Sequence, residues 1–356
     1  MDIEKYLEEK APLIDKTIEK YIPRKFTKQA VLFKINPPSR TCSVEALNKA
    51  IAEPIWEILD RGGKRWRPTL FLLIYEALGK KPENCLDFAI IPEVVHNGTL
   101  IIDDIEDSSD LRRGKPCTYK LFGVDVAINA GNTMYYMPLL PLMEKRADFP
   151  AETLRDVYEV YVQEMINLSM GQAMDIAWHK GIANADHLEE EDYLQMCAYK
   201  TGTLARMAAR MAAVLAGANK DMIEKLGHYA ESIGVAFQMQ DDVLDLIGKE
   251  FADKKGGRGQ DITEGKRTLM VIHTLRKSSS TDKKRLIEIL NMHTSDQQLK
   301  DEAIAIMKKY NAIDHVKQTA FQLVRESWRD AEKLLPRSEA KEKLKAFAEF
   351  LIERNK

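Results

Sequence analysis

Helical sequence patterns dominate this chain and limit it to one fold class. Long segments rich in Ala, Leu, Met, Glu and Lys lie between Gly and Pro residues. These residues favour helices, and the alternation of Val, Ile and Thr that is typical of strands is nearly absent. The sequence therefore predicts an all-α protein, with its longest helices over residues 151–179 and 220–247.

The composition is that of a folded globular chain. Of its 356 residues, 45% are hydrophobic and 30% are charged. This length suffices for one large core or for two domains, and we favour one domain. The net charge of -2 argues against a nucleic-acid-binding surface, which would need a strong basic excess.

The cysteines and the apolar runs bear on the cell compartment. The four cysteines have no CxxC spacing and no zinc-finger partners, which predicts free thiols in a reducing environment. The first residues are charged on nearly every turn and lack the apolar core of a secretory signal. No apolar run approaches the roughly 20 residues of a membrane span. We therefore expect a cytoplasmic protein without a membrane span.

Two aspartate-rich motifs are the most informative feature for function: DDIED at 103–107 and DDVLD at 241–245. In each, the first and last Asp stand four residues apart, so they project from one helix face beside Asp104 or Asp242. Because like charges repel, cations must hold such a cluster, and oxygen ligands with room for phosphates suit Mg²⁺. Two such helices that faced each other would form a cation-lined mouth for a diphosphate.

A single motif of this kind has a simpler interpretation. In a chain with 55 acidic residues, it is usually a solvated helix face. The flanking residues favour a functional reading, since HNGTLII precedes the first motif and VAFQM lies just before the second. Both clusters therefore lie on apolar helices, where carboxylates need a compensating partner.

Three loops combine glycine with basic residues. They cover residues 61–68 (RGGKRWRP), 112–116 (RRGKP) and 253–266 (DKKGGRGQDITEGK). Glycine lets the backbone approach a ligand closely, and the cations supply charge for a phosphate. The alternative for each loop is an ordinary basic surface turn.

With these motifs in this order, the chain resembles the trans-isoprenyl diphosphate synthases, the family of farnesyl and geranylgeranyl diphosphate synthases, over about residues 62–268. The resemblance implies the isoprenoid synthase type I fold, a single-domain bundle of about 12–14 helices around a central cavity. Within that domain, residues 1–61 would be N-terminal helices without an assigned role and residues 269–356 the C-terminal helices. The implied reaction condenses isopentenyl diphosphate head-to-tail with dimethylallyl, geranyl or farnesyl diphosphate.

The resemblance assigns the diphosphate of isopentenyl diphosphate to four side chains: Lys64, Arg67, His96 and Arg113. Lys64 and Arg67 match the family's GGKxxR positions. His96 precedes Asp103 by seven residues and so lies two turns away on the same helix face.

A second set of basic residues would contact the allylic diphosphate. Arg112 belongs to this set, and so does Lys255 of the long loop. Lys254 and Arg258 compete with Lys255, since the loop is one residue longer than usual before Asp261.

The resemblance also assigns the metal ligands and implies Mg²⁺, three ions in all. The implied ligands are Asp103, Asp104 and Asp107 in the first motif and Asp241 and Asp245 in the second. Asp245 would help through water.

Four further residues would act in the chemistry: Lys200, Thr201, Gln238 and Lys266. They match the family's Lys-Thr pair, its FQxxDD motif and its second lysine. In the implied reaction the allylic diphosphate ionises, the isopentenyl double bond attacks the cation, and a proton is lost. The difficult step is stabilising the departing diphosphate, so Mg²⁺ and cationic side chains suffice without a protein nucleophile. Neutral dipoles such as Thr201 and Gln238 would shield the carbocation from water.

Small residues bear on the length of the product. Gly98 and Thr99 lie about one turn before Asp103, where a bulky aromatic in the family stops growth at fifteen carbons. Thr133 and Ser169 are small as well, at positions where bulky residues in some relatives set a twenty-carbon limit. These small residues argue against a fifteen-carbon stop and leave a product of twenty-five or more carbons open. The segments HNGTLIIDDIEDSSDLRRG and GQAMDIAW resemble those of the geranylgeranyl synthases. The resemblance therefore implies geranylgeranyl diphosphate, with a longer product or farnesyl diphosphate as alternatives. Bulky neighbours that could close the tunnel instead are Met134, Tyr135, Tyr136 and Met170.

Two other functions compete with chain elongation. A class I terpene cyclase has the same fold and one DDxxD motif but needs no GGKxxR segment. A non-catalytic partner subunit of a synthase would not need intact motifs, and here both aspartate clusters are complete.

The family resemblance also implies a homodimer.

Overall fold

The all-α prediction is confirmed by the structure, a computed structural model that describes residues 3–31, 39–248 and 257–353. Within these ranges the strand content is one antiparallel ribbon, β1 (Leu111–Arg112) and β2 (Lys115–Pro116), which pairs Leu111 with Pro116. None of the described helices is both long and apolar enough to cross a bilayer.

The chain divides into two compact units. The first comprises residues 1–161, 207–224 and 335–346, and the second comprises residues 162–206, 225–334 and 347–356. The single domain over residues 1–356 stays a prediction, because a division into compact units does not establish how many parts fold independently.

The N-terminal helices, in chain order, are α1 (Ile3–Tyr21), α2 (Lys28–Val31), α3 (Val44–Leu47), α4 (Glu53–Leu59), α5 (Trp66–Ala77), α6 (Leu86–Ala89), α7 (Ile91–Glu106), α8 (Thr118–Phe122), α9 (Val124–Tyr136) and α10 (Leu140–Glu144). The helices that follow are α11 (Ala151–His179), α12 (Glu190–Cys197), α13 (Thr203–Leu215), α14 (Lys220–Ile247), α15 (Gln260–Thr263), α16 (Leu269–Lys277), α17 (Ser280–Asn291), α18 (Gln297–Lys309), α19 (Ala312–Ala331) and α20 (Glu339–Glu353).

Several predicted long helices contain a local change of helix type. The helical segment over 44–59 includes a π turn at Asn48–Ala52, and the one over 190–215 includes a π turn at Ala198–Gly202. A 3₁₀ turn at Met137–Leu139 separates α9 from α10, at a position where Pro138 has no N–H to continue the hydrogen-bond ladder. Hydrophobic spacing predicts that such segments are helical, but it does not distinguish a π or 3₁₀ turn from an α-helical one.

Helix α5 is the core helix of the first unit. Eleven of its twelve residues are buried, so it is apolar on all sides and not amphipathic. It begins at Trp66, directly after Arg65, which has a left-handed conformation with φ 47°. This start places Arg67 in the first turn of a buried helix, which decides its electrostatic environment.

Helices α7 and α9 pack at close range in the same unit. A Cβ atom added to Gly98 would lie 2.8 Å from Cβ of Met134 and 2.9 Å from the carbonyl oxygen of Gly131. The two helices can approach this closely because both contact positions are glycines. The missing side chain of Gly98 is thus filled by the neighbouring helix.

Candidate active site

A glycine-rich loop brings the first set of predicted phosphate ligands to α5. Gly62 and Gly63 both have positive φ, at 83° and 148°, so the chain turns in conformations that favour glycine. Lys64 is half-buried after the turn, and Arg67 is only 4% exposed. Among the described residues, nothing accepts a hydrogen bond from the buried Nε of Arg67.

Arg113 belongs to the same basic cluster. Its guanidinium donates hydrogen bonds to the carbonyl oxygen of Gly62 and, at 3.3 Å, to Oδ1 of Asn97. Burial lowers the pKa of Arg67 to about 10, with Arg113 as a repelling neighbour and Glu93 as an opposing acid. The pKa of Arg113 is likewise lowered to about 10 by burial and by neighbouring arginines. Guanidinium groups with lowered pKa values are short of negative charge, so this cluster is suited to an anion.

His96 lies within this cluster. Burial, followed by Arg67 and Arg113, lowers the pKa of His96 well below its usual value. Its imidazole is therefore neutral at pH 7 and can donate a hydrogen bond without adding a positive charge. The structure thus brings His96 together with Arg67 and Arg113, as the sequence predicts.

The first aspartate motif lies at the end of α7, where its three carboxylates differ in environment. Asp104 is 1% exposed, and its Oδ1 accepts a hydrogen bond of 2.8 Å from Nε of Arg112 on β1. Although burial opposes it, Asp104 raises the pKa of Arg112, which stays fully charged. Asp103 and Asp107 are half-buried instead. Arg112, predicted to contact a diphosphate, is in this structure also the partner of a buried carboxylate.

The π turn Ala198–Gly202 carries Lys200 and Thr201 of the second unit. A Cβ atom at Gly171 of α11 would lie 2.3 Å from the backbone nitrogen of Lys200. Because only a glycine permits this approach, the GQAMD segment of α11 fixes the π turn against it. Thr201 then donates a hydrogen bond of 2.9 Å to Oε1 of Gln238 on α14.

Asp175, which was not singled out from the sequence, contacts the predicted site residue Lys200. It is buried on α11, and its Oδ2 accepts a hydrogen bond of 2.5 Å from Nζ of Lys200. Against the effect of burial, Lys200, His179 and Lys266 together hold the pKa of Asp175 far below its usual range. The signal was present in the sequence, since Asp175 lies one helical turn after Gly171 in GQAMD.

The second aspartate motif lies near the end of α14 and is held by neutral groups. Oδ2 of Asp242 accepts a hydrogen bond of 2.7 Å from the hydroxyl of Tyr193, and Oδ1 accepts one of 2.8 Å from Nε2 of Gln238. Asp245 is 1% exposed and accepts hydrogen bonds of 3.2 and 3.1 Å from the backbone N–H groups at the start of α15. Asp241 is the half-buried member of this motif.

The basic loop near α15 is only partly described. Lys266 is half-buried and forms an ion pair with Glu264. Arg258 forms an ion pair with Asp301. Lys254 and Lys255 lie outside the described residues, so the choice among these loop cations stays a prediction.

The arrangement of motifs has close parallels among known proteins. The model of the polyprenyl synthetase family matches residues 48–307. The short chain isoprenyl diphosphate synthase of Methanothermobacter thermautotrophicus is 34% identical over 297 residues, which cover 83% of this chain and 88% of that protein. The chain belongs to the polyprenyl synthetase family. This family is Mg²⁺-dependent and uses isoprenyl diphosphate substrates.

Two further relatives bear on fold and product. The solved geranylgeranyl pyrophosphate synthetase of Pyrococcus horikoshii superposes with a TM-score of 0.82 at 32% identity, covering 99% of this chain and 98% of that one. The geranylfarnesyl diphosphate synthase of Natronomonas pharaonis is 32% identical over 315 residues, 84% of this chain and 88% of that protein. Synthases with different product names are thus about equally similar to this polyprenyl synthetase.

The predicted product-length positions differ in their surroundings. Gly98 is buried against α9, and the ring of Tyr135 would come within 3.2 Å of a Cβ atom at that position. Hydroxyl groups of Thr99 and Thr133 donate to carbonyl oxygens of their own helices, and Ser169 is exposed. In the first unit, the small residue at 98 therefore permits helix packing and brings Tyr135 alongside.

The bulky residues that could close the tunnel differ in how far they are exposed to solvent. Met134 is fully buried, while the side chains of Tyr136 and Met170 are 69% and 52% exposed. Burial, followed by Glu106 and Asp103, raises the pKa of Tyr135. Of the four bulky candidates, Met134 and Tyr135 are the two that pack against Gly98 in the first unit.

Proposed function

We propose that this protein is a Mg²⁺-dependent prenyltransferase that condenses isopentenyl diphosphate head-to-tail with allylic diphosphates to make an all-trans product, geranylgeranyl diphosphate. The observation that carries the proposal is the basic cluster of Arg67, His96 and Arg113. Two of its guanidinium groups have a pKa lowered to about 10, which is unfavourable unless an anion binds. A diphosphate supplies that anion.

Isopentenyl diphosphate binds at this cluster in our proposal. Lys64 contributes a mobile ammonium group, Arg67 and Arg113 contribute guanidinium groups, and His96 donates a neutral hydrogen bond. Neutral imidazole suits this position because burial and neighbouring arginines already lower the pKa of both guanidinium groups, and a further positive charge would add repulsion. The cluster thereby fixes one end of the acceptor substrate and so orients its double bond.

The aspartates that are half-buried are our primary candidates for metal ligands: Asp103, Asp107 and Asp241. Their donor set is all oxygen, which fits Mg²⁺ better than a softer metal. When bound, Mg²⁺ would neutralise the charge that develops on the departing diphosphate. We propose three ions in total, and we propose positioning roles for Asp104, Asp242 and Asp245, whose oxygens accept hydrogen bonds from protein groups.

Lys200 and Lys266 would neutralise the allylic leaving group. Asp175 accepts a hydrogen bond from Lys200 at 2.5 Å, which holds the ammonium group in one orientation. Thr201, which follows that lysine in the sequence, forms a neutral hydrogen-bonded pair with Gln238. Such neutral dipoles can face a carbocation without reacting with it, whereas an ionised carboxylate could capture it.

The product length is the least constrained part of the proposal. Geranylgeranyl diphosphate is supported by the named relatives, such as the geranylgeranyl pyrophosphate synthetase of Pyrococcus horikoshii. A longer product remains the alternative, supported by the similarity to a geranylfarnesyl diphosphate synthase. Tyr135 is our candidate for the residue that limits growth.

A homodimer is also proposed. In the first unit, α8 and α9 present exposed large apolar side chains at helical spacing, and these are Leu121, Val124, Ile128 and Tyr136. Such a stripe is typical of a protein interface. Light scattering on the protein and on Ile128→Glu tests it, because the charged variant should shift the mass towards a monomer.

The activity is tested with purified protein, Mg²⁺, labelled isopentenyl diphosphate and, separately, dimethylallyl, geranyl and farnesyl diphosphates. The dephosphorylated products are resolved by chain length. A twenty-carbon product supports the proposal, and longer products favour the alternative. Turnover of an allylic diphosphate without isopentenyl diphosphate would indicate a cyclase, and the absence of any turnover would overturn the proposal.

A further inference from the structure

The turn that carries Lys266 is held in place on both sides of that residue. It joins α15 to α16 in the second unit, and Gly265 within it has a φ of 72°. A Cβ atom at Gly265 would lie 2.6 Å from Cε1 of His293 and 3.1 Å from the carbonyl oxygen of Leu290. A glycine is therefore needed here both for the backbone conformation and for the close contact with the end of α17.

Arg267 holds the other side of the turn. Its side chain is buried, with 8% of the residue exposed. Nη1 donates a hydrogen bond of 2.7 Å to the carbonyl oxygen of Gly265. Nη2 donates to Oδ1 of Asn291 at 2.8 Å and to Oδ1 of Asp186 at 3.2 Å. Since Gly265 precedes Lys266 and Arg267 follows it, the first of these bonds closes the backbone around Lys266.

A guanidinium group is suited to this arrangement because its planar fork of donors can reach several acceptors at once. Through Arg267 the turn is joined to the end of α17 and to the segment between α11 and α12. The competing explanation is that Arg267 only stabilises the fold. Its hydrogen bond to Gly265 favours a more specific role, because that bond shapes the turn around Lys266 and not a distant part of the core.

The position of this turn decides what the ammonium group of Lys266 can reach. Against the effect of burial, Lys200 and Lys266 help to hold the pKa of Asp175 far below its usual range, so both ammonium groups act on one carboxylate. A lysine side chain is flexible, and its reach is set by its backbone. A displacement of about 1 Å can lower a rate about 100-fold.

We propose that Arg267 is a positioning residue for prenyl transfer, whose guanidinium fixes the turn so that Lys266 reaches the departing allylic diphosphate. The inference rests on the proposed function, in which Lys266 neutralises that leaving group. Arg267 acts through the backbone of the turn and does not itself contact the substrate.

Steady-state kinetics with geranyl and isopentenyl diphosphates test the proposal. Arg267→Met removes all three hydrogen bonds and should lower kcat about 30-fold, a loss typical of a small displacement of a catalytic group. Asn291→Ala removes one acceptor without changing the charge and should lower kcat about fivefold. KM for isopentenyl diphosphate should change less than about twofold in both variants, because its proposed ligands belong to the first unit.

Arg276→Met and Gln298→Ala are the matched controls. Arg276 is an exposed arginine of α16 that pairs with Glu189, and Gln298 is an exposed amide of α18. Neither should change kcat by more than about twofold. Circular dichroism checks that each variant stays helical, and Asn291→Ala decides the outcome if Arg267→Met does not fold.

A double-mutant cycle separates the positioning of Lys266 from a general effect on the fold. Lys266→Met alone should lower kcat about 100-fold, because it removes a charge that stabilises the leaving group. If Arg267 acts through Lys266, adding Arg267→Met to that variant should lower kcat less than about twofold further. A further loss of about 30-fold would show that the two residues act independently and would overturn the proposal.

Hydrogen exchange supplies a readout that does not depend on activity. Amide exchange over residues 264–268 should become at least about tenfold faster in Arg267→Met and should be unchanged in Arg276→Met. Unchanged exchange in the turn, with full activity of Arg267→Met, would overturn this inference alone. Absence of turnover by the unmodified protein would overturn the proposed function and, with it, the catalytic role inferred for the turn.

Discussion

The two units hold their cations in opposite ways. In the first unit, burial, with neighbouring arginines as a smaller cause, lowers the pKa values of Arg67 and Arg113 to about 10. In the second, Lys200 is paired with Asp175, and Lys266 is paired with Glu264. The difference teaches that basic residues of similar appearance in a sequence can form either a buried cluster that is short of negative charge or ion pairs with protein carboxylates.

The two aspartate motifs differ in a parallel way. A charged Arg112 holds the buried Asp104, while neutral Tyr193 and Gln238 hold the buried Asp242. In both motifs the first aspartate is half-buried. Four predictions test these contrasts, from the largest expected effect to the smallest.

The first aspartates of the two motifs should be equally essential despite their different surroundings. Asp103→Ala and Asp241→Ala should each lower kcat/KM by about 10³-fold, because each removes a metal ligand that stabilises the leaving group. Steady-state kinetics with geranyl diphosphate measure the loss, and circular dichroism checks the fold. Asp110→Ala, which removes an exposed acid of the first unit, should change kcat/KM less than twofold. Retained activity in either ligand variant would refute that assignment.

Removal of the Arg67 cation should weaken substrate binding and stabilise the ligand-free protein. Arg67→Met should raise KM for isopentenyl diphosphate about 100-fold, the loss expected for one buried charge-assisted contact. Because burial lowers the pKa of Arg67, the charged side chain destabilises the ligand-free fold. The free energy of unfolding of Arg67→Met should therefore be about 1 kcal/mol higher than that of the unmodified protein. Urea titration measures this.

Lys115→Met, an exposed cation of β2, is the control for that prediction. Its free energy of unfolding should change by less than about 0.5 kcal/mol. If Arg67→Met were instead less stable than the unmodified protein, the idea of a strained basic cluster in the first unit would be wrong.

The charged partner of Asp104 and the neutral partners of Asp242 should contribute differently to the free energy of unfolding. Asp104→Asn leaves the charge of Arg112 without its main partner, but it also removes a carboxylate whose pKa is raised by burial. We expect the loss of the partner to dominate and to cost about 2 kcal/mol of stability, discounted because Arg112 is partly exposed. Asp242→Asn keeps one acceptor for Tyr193 and should cost about 1 kcal/mol. Equal costs by urea titration would mean that the nature of the partner does not matter.

The pairing of Lys200 should appear in the pH dependence of stability. The folded pKa of Asp175 lies below its unfolded value of about 3.9, so the pair stabilises the protein above that pH and loses its effect as pH falls through the lowered value. We expect Asp175→Asn to be about 2 kcal/mol less stable at pH 7, with a difference that shrinks below pH 4. A difference that grew on acidification would contradict the pairing.

Much of the site was predictable because its motifs are local in sequence. The positions of Arg67, His96 and the two aspartate motifs follow from short segments with fixed spacing. Asp175 was missed because a lone Asp on a long helix has many roles, and only its contact with Lys200 selects one. The roles of Asp104 and Asp245 were equally hidden, since their partners come from other elements.

The sequence by itself determined the helical class, the order of the motifs and the family, because helix propensity and motif spacing are properties of neighbouring residues. Only the tertiary structure decided that Gly98 permits the close packing of two helices and that Gly171 lies against the backbone of Lys200. It also decided which cations are compensated and which are not. Those outcomes depend on burial and on partners that are distant along the chain, and no local pattern encodes either.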